Sequence, residues 1–286
     1  MQQTVYLNDQ FMPLEQAKIS PLDRGFLFGD GVYEVIPSYS GKFVGFDLHI
    51  ERLKRSLAAI KIELNWTTDK WRSIAERLLE ENGSGNLSVY IHVSRGADVK
   101  RAHAYKTFNS PTVFALTTEI PAPKVANIDK VEGLSVVTQE DIRWQRCDVK
   151  STALLGNIMH FQHAYDQGVA ETILYNKDRQ VTEASTSNVF VIKNNCITTP
   201  PLDSQLLPGV TRHIVLDIIR SKTQYEVGEE IVTFDDLKQA DEVWLTSASK
   251  EVAPVTLIDG DPVADGKVGG LWLAIMSLFE QHKFDA

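Results

Sequence analysis

The order of apolar and polar residues predicts that the first part of the chain mixes strands with helices. Val32–Tyr39 is rich in β-forming residues and ends at Ser40-Gly41, after which Lys42–Phe46 continues the pattern, as expected for a β-hairpin. Asp47 then stands as a candidate N-cap for a helix that runs to about Ile60. Three further elements are predicted, a helix and two strands flanking a polar segment: Trp66 to about Glu81, Leu87–Val93 and Thr112–Thr118.

Beyond Pro121-Ala-Pro123, the candidate linker, the pattern becomes strand-rich. The predicted strands are Gly133–Thr138, Thr172–Asn176, Asn188–Lys193 and Glu242–Thr246, and the predicted helices are about Leu154–Gln167 and Thr211–Ile219. These elements predict an α+β (mixed α/β) protein with two domains, residues 1–120 and 126–286, and a linker at residues 121–125. A chain of 286 residues is long enough for each domain to bury its own core.

Composition and charge narrow the partners and the compartment. The net charge of −9 argues against nucleic acid or an anionic membrane, because either partner requires a basic face. Two cysteines, Cys147 and Cys196, without a Cys-x-x-Cys pair fit a reducing compartment. The N-terminus lacks the basic and apolar regions of a secretory signal, and no apolar run approaches the ~18 residues of a membrane span. We therefore expect a cytoplasmic protein.

Three places have the chemistry of an anion site. Leu207-Pro208-Gly209-Val210-Thr211-Arg212 precedes a predicted helix, so the amides of the first turn and the Thr211 hydroxyl face an anion, although an ordinary helix start has the same pattern. Thr246-Ser247-Ala248-Ser249 follows a strand and leaves backbone donors exposed, as phosphate-binding turns do and as plain polar turns do. Arg52 lies at the edge of an apolar helix face, where an arginine usually pairs with a carboxylate or a phosphate.

Lys150 and Glu183 are the strongest candidates for catalysis. Lys150 lies in Asp148-Val149-Lys150-Ser151-Thr152, and Glu183 lies in Val181-Thr182-Glu183-Ala184-Ser185. A lysine forms a Schiff base with the aldehyde of pyridoxal phosphate (PLP), and a carboxylate keeps the pyridine nitrogen protonated so that the ring accepts electrons. A solvated surface lysine is the ordinary alternative.

Other kinds of site fit the sequence poorly. Gly29-Asp30-Gly31 lacks the third glycine of a dinucleotide fingerprint and is followed by β-forming residues. The histidines are scattered, and although His160 and His163 are three residues apart, no carboxylate completes a ligand set, so no metal is expected. No Gly-x-Ser-x-Gly elbow of a serine hydrolase occurs.

Five motifs in order resemble a known family. They are Asp23-Arg24-Gly25-Phe26-Leu27-Phe28-Gly29-Asp30-Gly31-Val32-Tyr33-Glu34, His49-Ile50-Glu51-Arg52-Leu53, the segments around Lys150 and Glu183, and Leu207-Pro208-Gly209-Val210-Thr211-Arg212. Together they resemble the fold-type IV PLP enzymes, which include D-amino acid transaminases, branched-chain transaminases and aminodeoxychorismate lyases. The resemblance extends from about residue 20 to about residue 256. It implies a small N-terminal αβ domain, a larger strand-rich pseudo-barrel domain and PLP in the cleft between them.

The resemblance also implies a role for each motif residue. Lys150 is expected to be the Schiff-base lysine and proton shuttle, and Glu183 to pair with the pyridine nitrogen. The phosphate is expected on a group of cationic, amide and hydroxyl donors, and the ring against one apolar side chain. These residues are Arg52, Val210, Thr211, Ser247 and Ala248 for the phosphate, and Leu207 for the ring.

The polar segment after Val93 distinguishes the members of the group. Arg101 and His103 resemble the Arg-x-His carboxylate trap of D-amino acid transaminases, in which the pair joins a tyrosine, here Tyr33. Three donors that fix the substrate carboxylate decide which face of Cα meets Lys150. Without the resemblance, a solvated basic patch of Lys100, Arg101 and His103 is the ordinary interpretation. The expected reaction is ping-pong transfer of an amino group between a D-amino acid, such as D-alanine or D-glutamate, and a 2-oxo acid.

Several alternatives stay open at this point. A branched-chain or (R)-amine transaminase and an aminodeoxychorismate lyase use the same cofactor, and a catalytically silent PLP-binding protein keeps only the fold. The resemblance also implies a homodimer. The loop at residues 102–110 is expected to set the donor preference.

Overall fold

The computed structural model describes residues 3–83, 85–105 and 110–286. The chain divides into two compact units, of which the first contains residues 1–123 and 149–154 with the last residue, and the second contains residues 124–148 and 155–285. No helix in the described part of the chain is long and apolar enough to cross a membrane.

The first unit is an antiparallel sheet packed against helices. Its elements are β1 (Thr4–Leu7), β2 (Gln10–Pro13), α1 (Arg24–Phe28), β3 (Gly31–Tyr39), β4 (Lys42–Phe43), α2 (Phe46–Ala59), α3 (Thr68–Asn82), β5 (Asn86–Ser94) and β6 (Thr112–Glu119). The strand order is β2-β1-β6-β5-β3-β4. The predicted hairpin and long strands are confirmed, except that the second hairpin strand ends at Phe43 rather than Phe46.

The core of this unit forms where α2 and α3 cover one face of the sheet. Ile50, Leu53 and Leu57 recur at helical spacing on α2 and are all buried in this core. The predicted start of α2 was wrong, because Gly45 occupies the cap position with a left-handed φ of 59° and the helix begins at Phe46. Asp47 forms an ion pair with Arg72 at 2.6 Å instead of capping.

The second unit is built on a strand-rich mixed sheet. Its elements are β7 (Leu134–Glu140), α4 (Leu155–Asp166), β8 (Glu171–Tyr175), β9 (Val181–Ala184), β10 (Asn188–Lys193), β11 (Cys196–Thr199), α5 (Val210–Lys222), β12 (Val227–Glu229), α6 (Phe234–Lys238), β13 (Glu242–Ser247), β14 (Glu251–Ile258), β15 (Asp261–Pro262) and α7 (Gly270–His282). The order is β12-β11-β10-β13-β14-β7-β8-β9, with β15 on β14. Parallel pairs at β14–β7, β7–β8 and β11–β12 accompany antiparallel ones. The mixed α/β class is confirmed.

The boundary of the second unit differs from the continuous domain expected at residues 126–286. Val149–Leu154 belongs to the first unit because its backbone pairs with β3. The Tyr33 amide donates to the Lys150 carbonyl at 3.0 Å, and Ser151 forms a bridge with Val32. Lys150 is therefore held by the backbone of the first unit.

Candidate active site

Lys150 lies against Tyr33 in the first unit. The Lys150 Nζ is 4.2 Å from the centroid of the Tyr33 ring, and the Lys150 amide donates to Ser56 Oγ at 3.2 Å. Within residues 3–83, 85–105 and 110–286, the Lys150 amine takes part in none of the ion pairs. An amine without a carboxylate partner, half-buried beside an aromatic ring, suits nucleophilic attack on a carbonyl carbon.

Arg52 is fixed by a buried carboxylate. Arg52 Nε and Nη2 donate to the two carboxylate oxygens of Glu34 at 2.8 and 2.7 Å, and His49 Nδ1 lies 2.7 Å from Glu34 Oε2. Although burial alone raises the pKa of Glu34, the charges and hydrogen bonds of Arg52 and His49 lower it to about 2. Burial lowers the pKa of His49 despite the adjacent Glu34. Glu34 thus stays ionised and holds the guanidinium in one orientation.

Replacing Glu34 by glutamine is expected to destabilise the protein by about 3–5 kcal/mol, because it leaves a buried arginine without its counter-charge. The pKa of Glu34 is lowered on folding, so its contribution is full above the ordinary value of 4.5 and is lost as the pH falls towards about 2. Urea unfolding of the wild type and of Glu34→Gln, at pH 7 and at successively lower pH, measures the difference in their free energy of unfolding. A difference in the free energy of unfolding that does not shrink below pH ~4.5 would contradict the ion pair.

Glu183 is buried in the second unit and is held by Arg143. Arg143 Nη1 donates to Glu183 Oε1 at 2.6 Å, and the Leu207 amide donates to Glu183 Oε2 at 3.0 Å. Burial raises the pKa of Glu183, and the charge of Arg143 opposes this rise. Although burial alone lowers the pKa of Arg143, its hydrogen bonds to Asp141 and the charge of Glu183 raise it above its ordinary value. Arg143 therefore favours the ionised form of Glu183, although burial of this carboxylate favours the neutral form.

Helix α5 begins at the predicted anion site, and no side chain of the cap residue bonds to its first turn. Gly209 is its cap residue, and Val210 and Thr211 form its first turn, both buried. A Cβ on Gly209 would lie 2.0 Å from Asn188 Oδ1, so only glycine allows the turn to approach Asn188 this closely. The side-chain amide of Asn188 donates to the Leu207 carbonyl at 2.9 Å and to Glu183 Oε2 at 3.3 Å. The helix start and the Glu183 strand are therefore joined through one asparagine.

The turn between β13 and β14 contains the second predicted anion site, Ser247 and Ala248. The Lys250 amide donates to Ser247 Oγ at 3.1 Å, and the hydroxyl of Thr246 is buried without a partner among the described residues. Lys250 Nζ donates at 2.8 Å to Glu171, which is fully buried. The carboxylate of Glu171 also accepts hydrogen bonds from the turn after Glu183, through the hydroxyls of Ser185, Thr186 and Ser187.

Arg101 and His103 lie on a loop whose backbone carbonyls accept hydrogen bonds from the Arg24 side chain. Arg24 donates to the carbonyls of Ala102 at 2.6 Å and His103 at 3.0 Å. The Arg101 guanidinium lies 5.1 Å from the Phe28 ring centroid. The hydrogen bonds, ion pairs and ring contacts of the described residues do not join Arg101 or His103 to Tyr33. Residues 106–109 of the loop expected to set donor preference lie outside the described residues.

Four charged or polar residues of these networks received no role from the sequence, although two of them lie inside the motifs: Glu34 and His49 within the motifs, and Arg143 and Glu171 outside them. Glu34 alone had a clear signal, since it occupies the helix-facing register of an apolar strand, where a charge requires a partner. No group of three or more His, Cys, Asp or Glu side chains in the described ranges is arranged to hold a metal ion. The amine and the buried arginine of the first unit, and the fixed carboxylate and the helix start of the second, are each of a kind that fits PLP.

Comparison with known proteins agrees with this chemistry. The model of the family described as amino-transferase class IV matches residues 31–258. The D-alanine aminotransferase of Staphylococcus epidermidis is 39% identical over 279 residues, covering 97% of each chain, and that of Listeria innocua is 38% identical over 278 residues, covering 97% of this chain and 95% of its own. The branched-chain aminotransferase of Thermoproteus uzoniensis has the same fold, with a TM-score of 0.86 at 23% identity, covering 100% of this chain and 96% of its own.

These matches extend over most of the chain and include the segments around Lys150 and Glu183. Class IV aminotransferases use PLP, so the cofactor expected from the sequence is confirmed. The fold type and the transaminase reaction class are confirmed with it. The chain belongs to the class IV aminotransferase family.

Proposed function

We propose that the protein transfers the amino group of a D-amino acid such as D-alanine or D-glutamate to a 2-oxo acid, in ping-pong fashion. The observation that supports this most is the Arg101-x-His103 pair on a loop whose main chain is held by the buried Arg24. A loop anchored through its carbonyls keeps both side chains available for a ligand. The relatives named D-alanine aminotransferase agree with the proposal over nearly the full length.

The cofactor contacts are proposed from the donors described above. Bound PLP supplies the electron sink that makes the substrate Cα proton acidic. Lys150 attaches the cofactor and moves the proton at Cα, while Glu183, held by Arg143, pairs with the pyridine nitrogen. The remaining residues bind the phosphate and the ring face, namely Arg52, Val210, Thr211, Ser247 and Ala248 for the phosphate and Leu207 for the ring.

The substrate contacts follow from the need to orient Cα. We assign Tyr33, Arg101 and His103 to the substrate α-carboxylate. With the carboxylate fixed, only one of the two enantiomers presents its Cα hydrogen to the Lys150 amine. The Tyr33 ring already contacts this amine. One side chain would therefore position both the substrate carboxylate and the amine that accepts the Cα proton.

The proposal is tested on the visible spectrum of the protein purified with PLP, to which D-alanine and L-leucine are added separately. We expect D-alanine alone to convert the bound cofactor to its amino form. Arg101→Gln should lower kcat/KM for D-alanine about 10²-fold, because a charge-assisted bidentate contact is lost, whereas Lys100→Gln beside it should not. Conversion by L-leucine alone would replace the proposal with a branched-chain activity. Release of pyruvate from aminodeoxychorismate without an amino acceptor would replace it with a lyase.

We also propose that the enzyme is a cytoplasmic homodimer. Helix α4 of the second unit leaves Leu155 and Tyr165 each 71% exposed, with Ile158 and Met159 more than half exposed between them. A run of exposed apolar side chains on one helix is typical of an interface, and a second copy is the occupant that we propose. The reducing cytoplasm keeps the free Cys147 and Cys196 as thiols.

Placing a charge on this helix is expected to dissociate the dimer. Ile158→Glu adds an uncompensated carboxylate to the apolar patch, and burying it costs several kcal/mol, so the variant should be monomeric at micromolar concentration. Light scattering measures the mass of both proteins. Gln281→Glu, the same change of charge at an exposed position of α7, away from this helix, is the control. A wild-type protein that is monomeric throughout the concentration range would exclude the homodimer.

A further inference from the structure

The sheet of the first unit has one face that α2 and α3 do not cover, and the short helix α1 contacts it only near His92 and Ser94. On β3 and β5 the helix-facing residues are fully buried, whereas Tyr33, Tyr90 and His92 on the other face are half-buried. In the antiparallel register, His92 lies directly opposite Tyr33, and Tyr90 lies opposite Val35 on the same face. Three polar aromatic side chains therefore share one surface beside Lys150.

These side chains form a continuous row of contacts that begins at Lys150. The Lys150 Nζ is 4.2 Å from the Tyr33 ring centroid, and the rings of Tyr33 and Tyr90 are 5.8 Å apart at an angle of 35°. The Tyr90 hydroxyl is 2.9 Å from His92 Nδ1. Because this hydrogen bond fixes the Tyr90 hydroxyl, the Tyr90 ring has one orientation, and Tyr33 packs against it in one position.

The protonation states of His92 and Tyr90 favour the hydrogen bond between them. Burial lowers the pKa of His92, and the charge of Asp23 opposes this only in part. Burial also raises the pKa of Tyr90 to about 12. The imidazole and the phenol are therefore both neutral near pH 7, and the bond between them persists.

We propose that His92, acting through Tyr90, is a positioning residue that holds the Tyr33 ring against the Lys150 amine and thereby supports selection of D-amino acids. Neither His92 nor Tyr90 touches the amine. Their effect passes through Tyr33, whose hydroxyl is assigned to the substrate carboxylate. The selectivity part rests on the proposed function, whereas the contact between Tyr33 and Lys150 does not.

The test compares four variants of the holoenzyme: His92→Leu, Tyr90→Phe, the double variant and His92→Gln. The first readout is the ratio of kcat/KM for D-alanine to that for L-alanine. We expect each single variant to lower this ratio about 10-fold, since small displacements of an orienting group cost this much or more. The double variant should fall no further, because both changes break the same bond. His92→Gln should keep most of the ratio, because its amide hydrogen-bonds the Tyr90 hydroxyl.

The second readout needs no substrate. Tyr33 contacts the lysine that carries the cofactor, so a displaced ring changes the polarity around that linkage. The pH midpoint of the visible spectrum should shift in His92→Leu and Tyr90→Phe and stay near wild type in His92→Gln. Tyr225→Phe, a change at an exposed tyrosine of the second unit, is the matched control and should leave both readouts unchanged.

Three results would overturn the proposal. They are an unshifted midpoint in His92→Leu, additive losses in the double variant, and equal losses of kcat/KM for both enantiomers. If the wild-type protein converts no D-alanine, the proposed function fails, and the spectral midpoint still decides whether His92 and Tyr90 act on Tyr33 and Lys150.

Discussion

Lys150→Ala is expected to reduce amino-group transfer by at least about 10³-fold, because the variant loses both the attachment of the cofactor and the base that moves the Cα proton. The side chain takes part in no ion pair of the described chain, and its contact with the Tyr33 ring is modest, so the fold should persist. Initial rates with D-alanine and a 2-oxo acid measure the loss, and circular dichroism checks the fold.

The control for this variant is Lys18→Ala, which removes an exposed lysine of the same unit and should leave the rate unchanged. An added primary amine should restore part of the Lys150→Ala activity, since a small amine can enter the space that the side chain leaves. A rate near that of the wild type in Lys150→Ala would exclude this lysine from the chemistry.

Arg143→Met is expected to move the acid limb of the pH–rate profile to higher pH. Burial already raises the pKa of Glu183, and Arg143 is the group that opposes the rise. Without it the pKa of Glu183 rises further, as is usual when an adjacent opposite charge is lost. Because the ionised carboxylate exists only above its pKa, kcat should fall at a higher pH in the variant than in the wild type.

Two neighbouring variants separate the charge of Arg143 from its shape. Arg143→Lys keeps a cation and should shift the profile less. Arg146→Met removes an exposed arginine that pairs with Asp148 and should leave the profile unchanged. An unaltered acid limb in Arg143→Met would show that Glu183 does not limit the rate in this range.

The sequence predicted the parts of the fold whose pattern is local. The long strands β3, β5 and β6 and the helices α2, α3 and α5 have clear periodicity, so they were predicted within a few residues. Strand β14 and helix α7 were not predicted. Strand β14 is buried at nearly every position and contains Pro254, so it lacks the alternation of a half-exposed strand.

The candidate site divides in the same way. Lys150, Glu183 and Arg52 lie in local motifs that resemble a family, and the motifs alone pointed to them. Arg143 and Glu171 become recognisable only when distant segments meet, because a surface ion pair and a buried one look alike in sequence. The predicted start of α2 was wrong because aspartate is a common N-cap residue, whereas the left-handed backbone of Gly45 sets where this helix begins.

The assignment of Val149–Leu154 to the first unit has a consequence for the order of folding. Val32 and Ser151 lie about 120 residues apart along the chain, so their bridge closes a long loop at an entropic cost that shorter contacts avoid. Strand β3 can pair with β4 and β5 before that loop closes. The segment bearing Lys150 should therefore dock onto a sheet that already exists. Because the Tyr33 amide bonds to the Lys150 carbonyl, its protection from hydrogen exchange would show when, during folding, Lys150 reaches its place on the sheet.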